Sequence, residues 1–95
     1  MQISQRLTRW VASAFPEECR DRVLAELCDL PSDAIGGQDP ERVQASLVIR
    51  AAGDWDGFQR ASELARTDWR DALVFAGLGD ADWPSRLDEV LGPAT

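Results

Sequence analysis

Residues 39–91 read DPERVQASLVIRAAGDWDGFQRASELARTDWRDALVFAGLGDADWPSRLDEVL, and the spacing inside this stretch decides the fold. An aspartate followed by Pro or Trp recurs at Asp39-Pro40, Asp54-Trp55, Asp68-Trp69 and Asp82-Trp83, at steps of 15, 14 and 14 residues. Aspartate is a favoured helix N-cap because its carboxylate accepts hydrogen bonds from the unpaired amides of the first turn. Its charge also suits the positive end of the helix dipole. Proline is favoured at the first helical position, where no amide hydrogen is needed. The stretch therefore reads as four short helices in series, each announced by its own cap.

The spans follow from apolar periodicity and stop signals. Pro40 to Ala52 carries Val43, Ala45, Leu47, Val48, Ile49, Ala51 and Ala52, with a polar stripe of Arg42, Ser46 and Arg50. A helix apolar around most of its circumference is buried on several sides, so this one is expected at the centre, ended by Gly53. Trp55 to Arg66 puts Trp55, Phe58, Ala61, Ser62 and Ala65 on one face. Trp69 to about Gly77 follows, with Asp71 as a weak capping-box partner for Asp68. The last helix runs from about Trp83 to Leu91, with Trp83, Leu87, Val90 and Leu91 inward.

Upstream, Ile3, Leu7, Trp10, Val11, Ala14 and Phe15 form an i, i+4, i+7, i+8 stripe, with Ser4 as cap and Arg6 and Arg9 off the stripe. A core-facing helix is the expectation; a membrane-surface helix would want more basic residues. Pro16 to about Leu30 is a second helix, carrying Cys19, Val23, Leu27 and Leu30 on one stripe and Leu24 and Cys28 beside it. Gly36-Gly37 marks a loop over residues 31–38, which Ile35 is expected to pin to the core. No alternating β pattern competes. The reading is a single all-α domain over residues 1–95: a compact, helical-hairpin-like array of five to six short antiparallel helices.

Composition narrows the function. The net charge is −7, and all ten basic residues are arginine. That balance argues against nucleic-acid or membrane binding, which needs a basic face. Histidine and tyrosine are absent, which removes the commonest general acid–base group and the commonest nitrogen metal ligand. No catalytic residue, cofactor or metal ligand is assigned. Asp54, Asp56 and Gly57, or Asp80 and Asp82, resemble fragments of a calcium loop but lack its ligand spacing, so capping is the expected role. The pairs Asp80/Asp82 and Glu17/Glu18 fall at helix starts in water, not in the contrasting buried environments that acid–base work requires. Cys19 and Cys28, nine residues apart on one helix, would be separated by about 13 Å, too far for a disulfide. They suit a reducing cytoplasm as small buried hydrophobes.

The tryptophans are expected in the core near helix ends, Trp55 and Trp83 at one end of the array and Trp69 at the other, which would break any stacking platform. The period of about 29 residues per helix pair is that of small helical-hairpin arrays, which present surfaces to other proteins.

The pattern Glu41-Arg42-Val43-Gln44, Gly53-Asp54, Ala65-Arg66-Thr67-Asp68-Trp69-Arg70-Asp71, Ala76-Gly77-Leu78 and Asp82-Trp83-Pro84 resembles a family of small bacterial all-helical proteins without an assigned activity. The resemblance covers roughly residues 39–92. It implies a bacterial, cytoplasmic, all-α protein and transfers no functional residue.

The leading expectation is a protein without catalysis that binds another protein or a second copy of itself. Alternatives are a small-ligand binder with an inter-helix pocket and an acidic DNA mimic. The expected partner site lies on the fifth helix, whose core stripe is Trp69, Ala72, Leu73 and Ala76. At 100° per residue Val74 lies about 140° from Trp69 and Phe75 about 120° round the other way, so neither fits that stripe. Something should cover this second apolar side: either the first helix, which has Leu7, Trp10 and Phe15 to offer, or another chain, in which case Arg70, Val74 and Phe75 border the partner site.

Overall fold

A computed structural model describes residues 3–30 and 39–92. The loop expected over 31–38, Ile35 included, lies outside the described residues, as does Pro93. Among the described residues six helices follow one another: α1 (Gln5–Ala14), α2 (Glu17–Cys28), α3 (Pro40–Ala51), α4 (Trp55–Thr67), α5 (Trp69–Phe75) and α6 (Trp83–Leu91). The described residues form no strand. The all-α array read from the sequence is the architecture of the chain.

α3 occupies the centre and packs against α1, α4, α5 and α6. Val43, Ala45, Leu47, Val48 and Ala51 are buried along it, as its nearly all-round apolar character requires. Gln44 and Ser46 are buried with them. The Ser46 hydroxyl donates to the Val43 carbonyl at 2.6 Å, and the Gln44 amide reaches the Leu27 carbonyl on α2 at 3.4 Å. The polar stripe of α3 thus does not face water throughout. Arg42 is half-buried and donates through Nε and Nη2 to the Leu78 carbonyl at 3.0 and 2.8 Å, and Arg50 lies over the Phe75 ring. α4 packs tightly on α3 because small residues meet there. A Cβ on Gly57 would come within 3.2 Å of the Ala51 carbonyl oxygen.

Three of the four repeated aspartates cap as expected. The carboxylates of Asp39, Asp54 and Asp68 accept from the amides of Glu41, Gly57 and Arg70 at 2.9, 3.0 and 3.1 Å. Asp68 also closes α4 by donating its own amide to the Leu64 carbonyl, so this one residue ends one helix and starts the next. Asp82 departs from the pattern. Its carboxylate makes no capping bond and instead faces Arg86 at 3.7 Å, one turn on. Its backbone, at φ −86 and ψ 13, has left the extended region from which an N-cap side chain reaches back over the first turn. The two positions should separate in a stability measurement. Asp68→Ala should lower the unfolding free energy by about 0.5–2 kcal/mol. Asp82→Ala should lower it by less than about 0.5 kcal/mol, the worth of an exposed i, i+4 pair. Urea denaturation of the two variants side by side checks the difference, and equal losses would mean Asp82 is a working cap.

Other boundaries shift by a turn or less. α3 ends at Ala51; Ala52, not glycine, takes the left-handed conformation (φ 53), and Gly53 continues it at φ 85. Gly53 is further constrained by α1, since a Cβ there would lie 2.4 Å from the Ala14 carbonyl oxygen. α5 stops at Phe75, two residues before the expected Gly77. Gly77 (φ 78) instead lets the chain turn back, its amide donating to Val74 at 3.1 Å and the Leu78 amide to Leu73 at 2.9 Å. This paired closure satisfies the last carbonyls of the helix and buries Leu78 in the core. On α6 Leu87 and Leu91, four residues apart, are buried in the core, and Trp83 packs half-buried against it. Val90, expected inward, is 42% exposed, because so short a helix buries a single stripe.

α1 faces the core through Leu7, Val11 and Phe15, with Ser4 as its cap, and the Phe15 ring meets Phe58 edge-on at 6.2 Å. Arg6, expected to point away, is buried. α2 carries both cysteines; Cys19 is half-buried, but Cys28 is exposed and not the buried hydrophobe expected.

Candidate functional site

α5 is too short to bury more than a narrow stripe. Ala72 and Leu73 enter the core, and Trp69 and Ala76 pack on its edge. The side opposite keeps Val74 67% and Phe75 57% exposed. Its packing partners are α3 and α4, whereas α1 packs on α2, α3 and α6. The expectation that α1 covers the second apolar side of α5 gives way, because Leu7, Val11 and Phe15 of α1 are already taken up by the core.

Arginines frame this exposed pair. Arg50, from the last turn of α3, places its guanidinium carbon 4.8 Å from the Phe75 ring centroid. Arg70 lies one turn before Val74 and sits 5.3 Å from the Trp69 ring. Such contacts hold the long side chains against aromatic faces while leaving the guanidinium edge toward solvent. An open depression beside Val74 is lined by Arg42, Trp69, Arg70, Leu73, Val74 and Gly79. Gly79 is pressed so close to Val74 that a Cβ would come within 3.0 Å of its Cγ2. Arg50 also borders an open groove with Gly57, Arg60, Ala61 and Leu64. Arg50 is therefore common to the exposed apolar pair and to the α3–α4 groove.

The tryptophans are arranged differently from the expectation. Arg42 stands 5.0 Å from the Trp83 ring and also borders the depression that holds Trp69. Trp69 and Trp83 thus come to the same end of α3. The reason is the chain reversal at Gly77, which carries residues 78–82 back toward Arg42 before α6 begins. Trp55 stacks on Phe58 at 5.7 Å and is covered by Arg22 at 4.3 Å. Each Asp-Trp tryptophan therefore carries an arginine on its face, and for Trp55 and Trp83 that arginine comes from a distant position that the local sequence pattern does not announce.

A second charged cluster ties α1 and α6 to the first turn of α3. Arg6 donates to Glu41 through Nε at 2.9 Å and Nη2 at 2.6 Å, and through Nη1 to Asp88 at 2.6 Å and the Gly92 carbonyl at 2.9 Å. The Ser4 hydroxyl donates to the same Glu41 carboxylate. The hydrogen bonds from Arg6 hold the Glu41 carboxyl below its usual range, with Ser4 adding to the effect and burial opposing it. Glu41 in turn raises the Arg6 pKa above its ordinary value. The cluster clamps α1, α3 and α6, and all three guanidinium nitrogens of Arg6 are engaged inside the chain, which fits a structural joint.

The remaining carboxylates of interest lie in water. Glu17, Glu18, Asp80 and Asp82 are exposed, and Asp54 is engaged by the Gly57 amide. Among the described residues no three Asp, Glu or Cys side chains come together as a metal site would require. No helix among them is long and apolar enough to cross a membrane. Compared with protein-family models, with curated proteins and with solved structures, the chain matches none.

Proposed function

We propose that this chain is a small protein-binding module that works through the outer face of α5 and carries no catalysis of its own. The observation that carries the reading is the exposure of Val74 and Phe75, at 67% and 57%, between Arg50 and Arg70. A chain that buries nineteen apolar side chains among its described residues yet leaves these two adjacent ones in water has an apolar spot that a partner could cover. Aromatic and arginine side chains together are the usual anchors of protein interfaces. The absence of histidine, with the carboxylate pairs exposed, favours binding over acid–base chemistry. A bacterial cytoplasmic setting is part of the proposal. It is supported by the resemblance of residues 39–92 and by two cysteines held apart on α2.

The test compares the wild-type chain with a Val74→Ser, Phe75→Ser double variant. Both positions are exposed, so the variant should keep its circular dichroism spectrum and melt within a few degrees of wild type. Affinity capture from cells of the source organism, with quantitative mass spectrometry, should recover a partner with wild type and lose it with the folded variant. Retention of the same partner by the variant would move the site off α5. Light scattering on both chains decides whether that partner is a second copy.

A further inference from the structure

We infer that the partner of the α5 face is an acidic protein segment in which carboxylates flank an apolar anchor. This rests on the docking reading above and goes on to the chemistry of the occupant. The chain holds 17 acidic residues against ten arginines, so an arginine on its surface has carboxylates in excess to pair with. Arg60, Arg66 and Arg86 do so at the surface and Arg6 in the interior, whereas Arg9, Arg20 and Arg22 have no carboxylate within ion-pair distance among the described residues. Nor do Arg50 and Arg70 pair; among the described residues no carboxylate lies within ion-pair distance of either. Asp71 adjoins Arg70 in sequence without forming an ion pair with it. The two arginines that border the exposed apolar pair are thus held on ring faces, with no ion pair among the described residues, and unlike Arg9, Arg20 and Arg22 they stand beside exposed apolar side chains.

A guanidinium lying on an aromatic ring keeps the in-plane N–H groups that grip a carboxylate in two-pronged fashion. Arg50 and Arg70 flank Val74 and Phe75, so a segment that seats an apolar side chain on this pair brings carboxylates on its two sides to them. The excess of acid elsewhere on the chain sharpens the choice, because an acidic segment finds its favourable potential here and repulsion over most of the remaining surface. A second copy docked by the same face across a twofold axis would set arginine against arginine. Nucleic acid would gain the two arginines but little from Val74 and Phe75, and would meet the net charge of −7.

The experiment pans a phage-displayed library of random twelve-residue peptides against the immobilised full chain. The Val74→Ser, Phe75→Ser variant serves for counter-selection. Enriched peptides should carry Asp or Glu on both sides of a Leu, Phe or Trp. The most enriched one, made synthetically with a fluorophore, should bind the Arg50→Gln, Arg70→Gln variant roughly tenfold or more weakly, and its affinity for wild type should fall as salt rises. The Arg50→Glu, Arg70→Glu variant should instead select basic peptides. Neutral or basic peptides enriched on wild type in a Val74- and Phe75-dependent way would overturn the acidic partner and leave the docking face standing. Absence of any such dependent enrichment would overturn both. A labelled twelve-mer of thymidylate that binds through Arg50 and Arg70 but ignores the Val74→Ser, Phe75→Ser change would reassign the face to nucleic acid.

Discussion

Arg6→Met is expected to lower the unfolding free energy by about 3 kcal/mol, the lower end of what breaking a buried ion pair does. Arg6 is 8% exposed, and its guanidinium is shared among Glu41, Asp88 and the Gly92 carbonyl. Methionine keeps most of the hydrocarbon stem and removes every one of those bonds. Glu41 is then left half-buried and charged with only Ser4 to answer it. Asp88, whose side chain is 59% exposed, can turn to water, which is why the loss sits at the lower end. Adding Glu41→Met to Arg6→Met removes the orphaned charge and should recover part of the loss. No recovery in the double variant would mean that the joint acts through packing and not through charge. Chemical denaturation of the three chains measures both effects.

The same joint sets an acid dependence. Glu41 has its pKa depressed in the folded chain, chiefly by the hydrogen bonds from Arg6. In the unfolded chain it returns to the ordinary glutamate range. A depressed group contributes stability that is fully present above the unfolded value and is lost as pH falls through the folded one. Arg6, raised from an already high value, stays charged throughout and adds no slope. The stability gap between wild type and Glu41→Gln should therefore be widest at neutral pH and close as pH drops below about 4. A gap that widens in acid would contradict the joint as described. Melting curves from pH 7 to pH 3 show which holds.

Leu47→Ala should lower the unfolding free energy by about 2–5 kcal/mol, the range for deleting a fully buried leucine from a packed core. Leu47 is buried in the middle of α3, the helix that touches four others. Helices on several sides cannot all close on the gap, so little of the cavity should be relieved. A loss below about half a kcal/mol would mean that α3 is not the centre of the core. The two substitutions differ in how they could be foreseen. Leu47 is picked out by periodicity alone, whereas nothing near Arg6 in the sequence names Glu41 or Asp88, 35 and 82 residues away.

What the sequence determined by itself is local. Helix caps act over three or four residues and core stripes repeat every turn, so Asp39, Asp54 and Asp68 could be read as caps, α3 as the centre, and the inward face of α4 residue by residue. The two apolar residues on α5 that miss its core stripe were legible in the same way, because helical phase is a local property. The tertiary structure decided what depends on which helices meet. It turned Arg6 inward, since Glu41 and Asp88 converge on that end of α1, and it buried Gln44 between α2 and α3. It drew Asp82 out of its capping role and gathered Trp69 and Trp83 around Arg42, since the reversal at Gly77 sends the chain back along α3. It also left Val74 and Phe75 uncovered and set Arg50 beside them. Covering an apolar side takes a helix with a free stripe of its own, and Leu7, Val11 and Phe15 of α1 are already buried in the core.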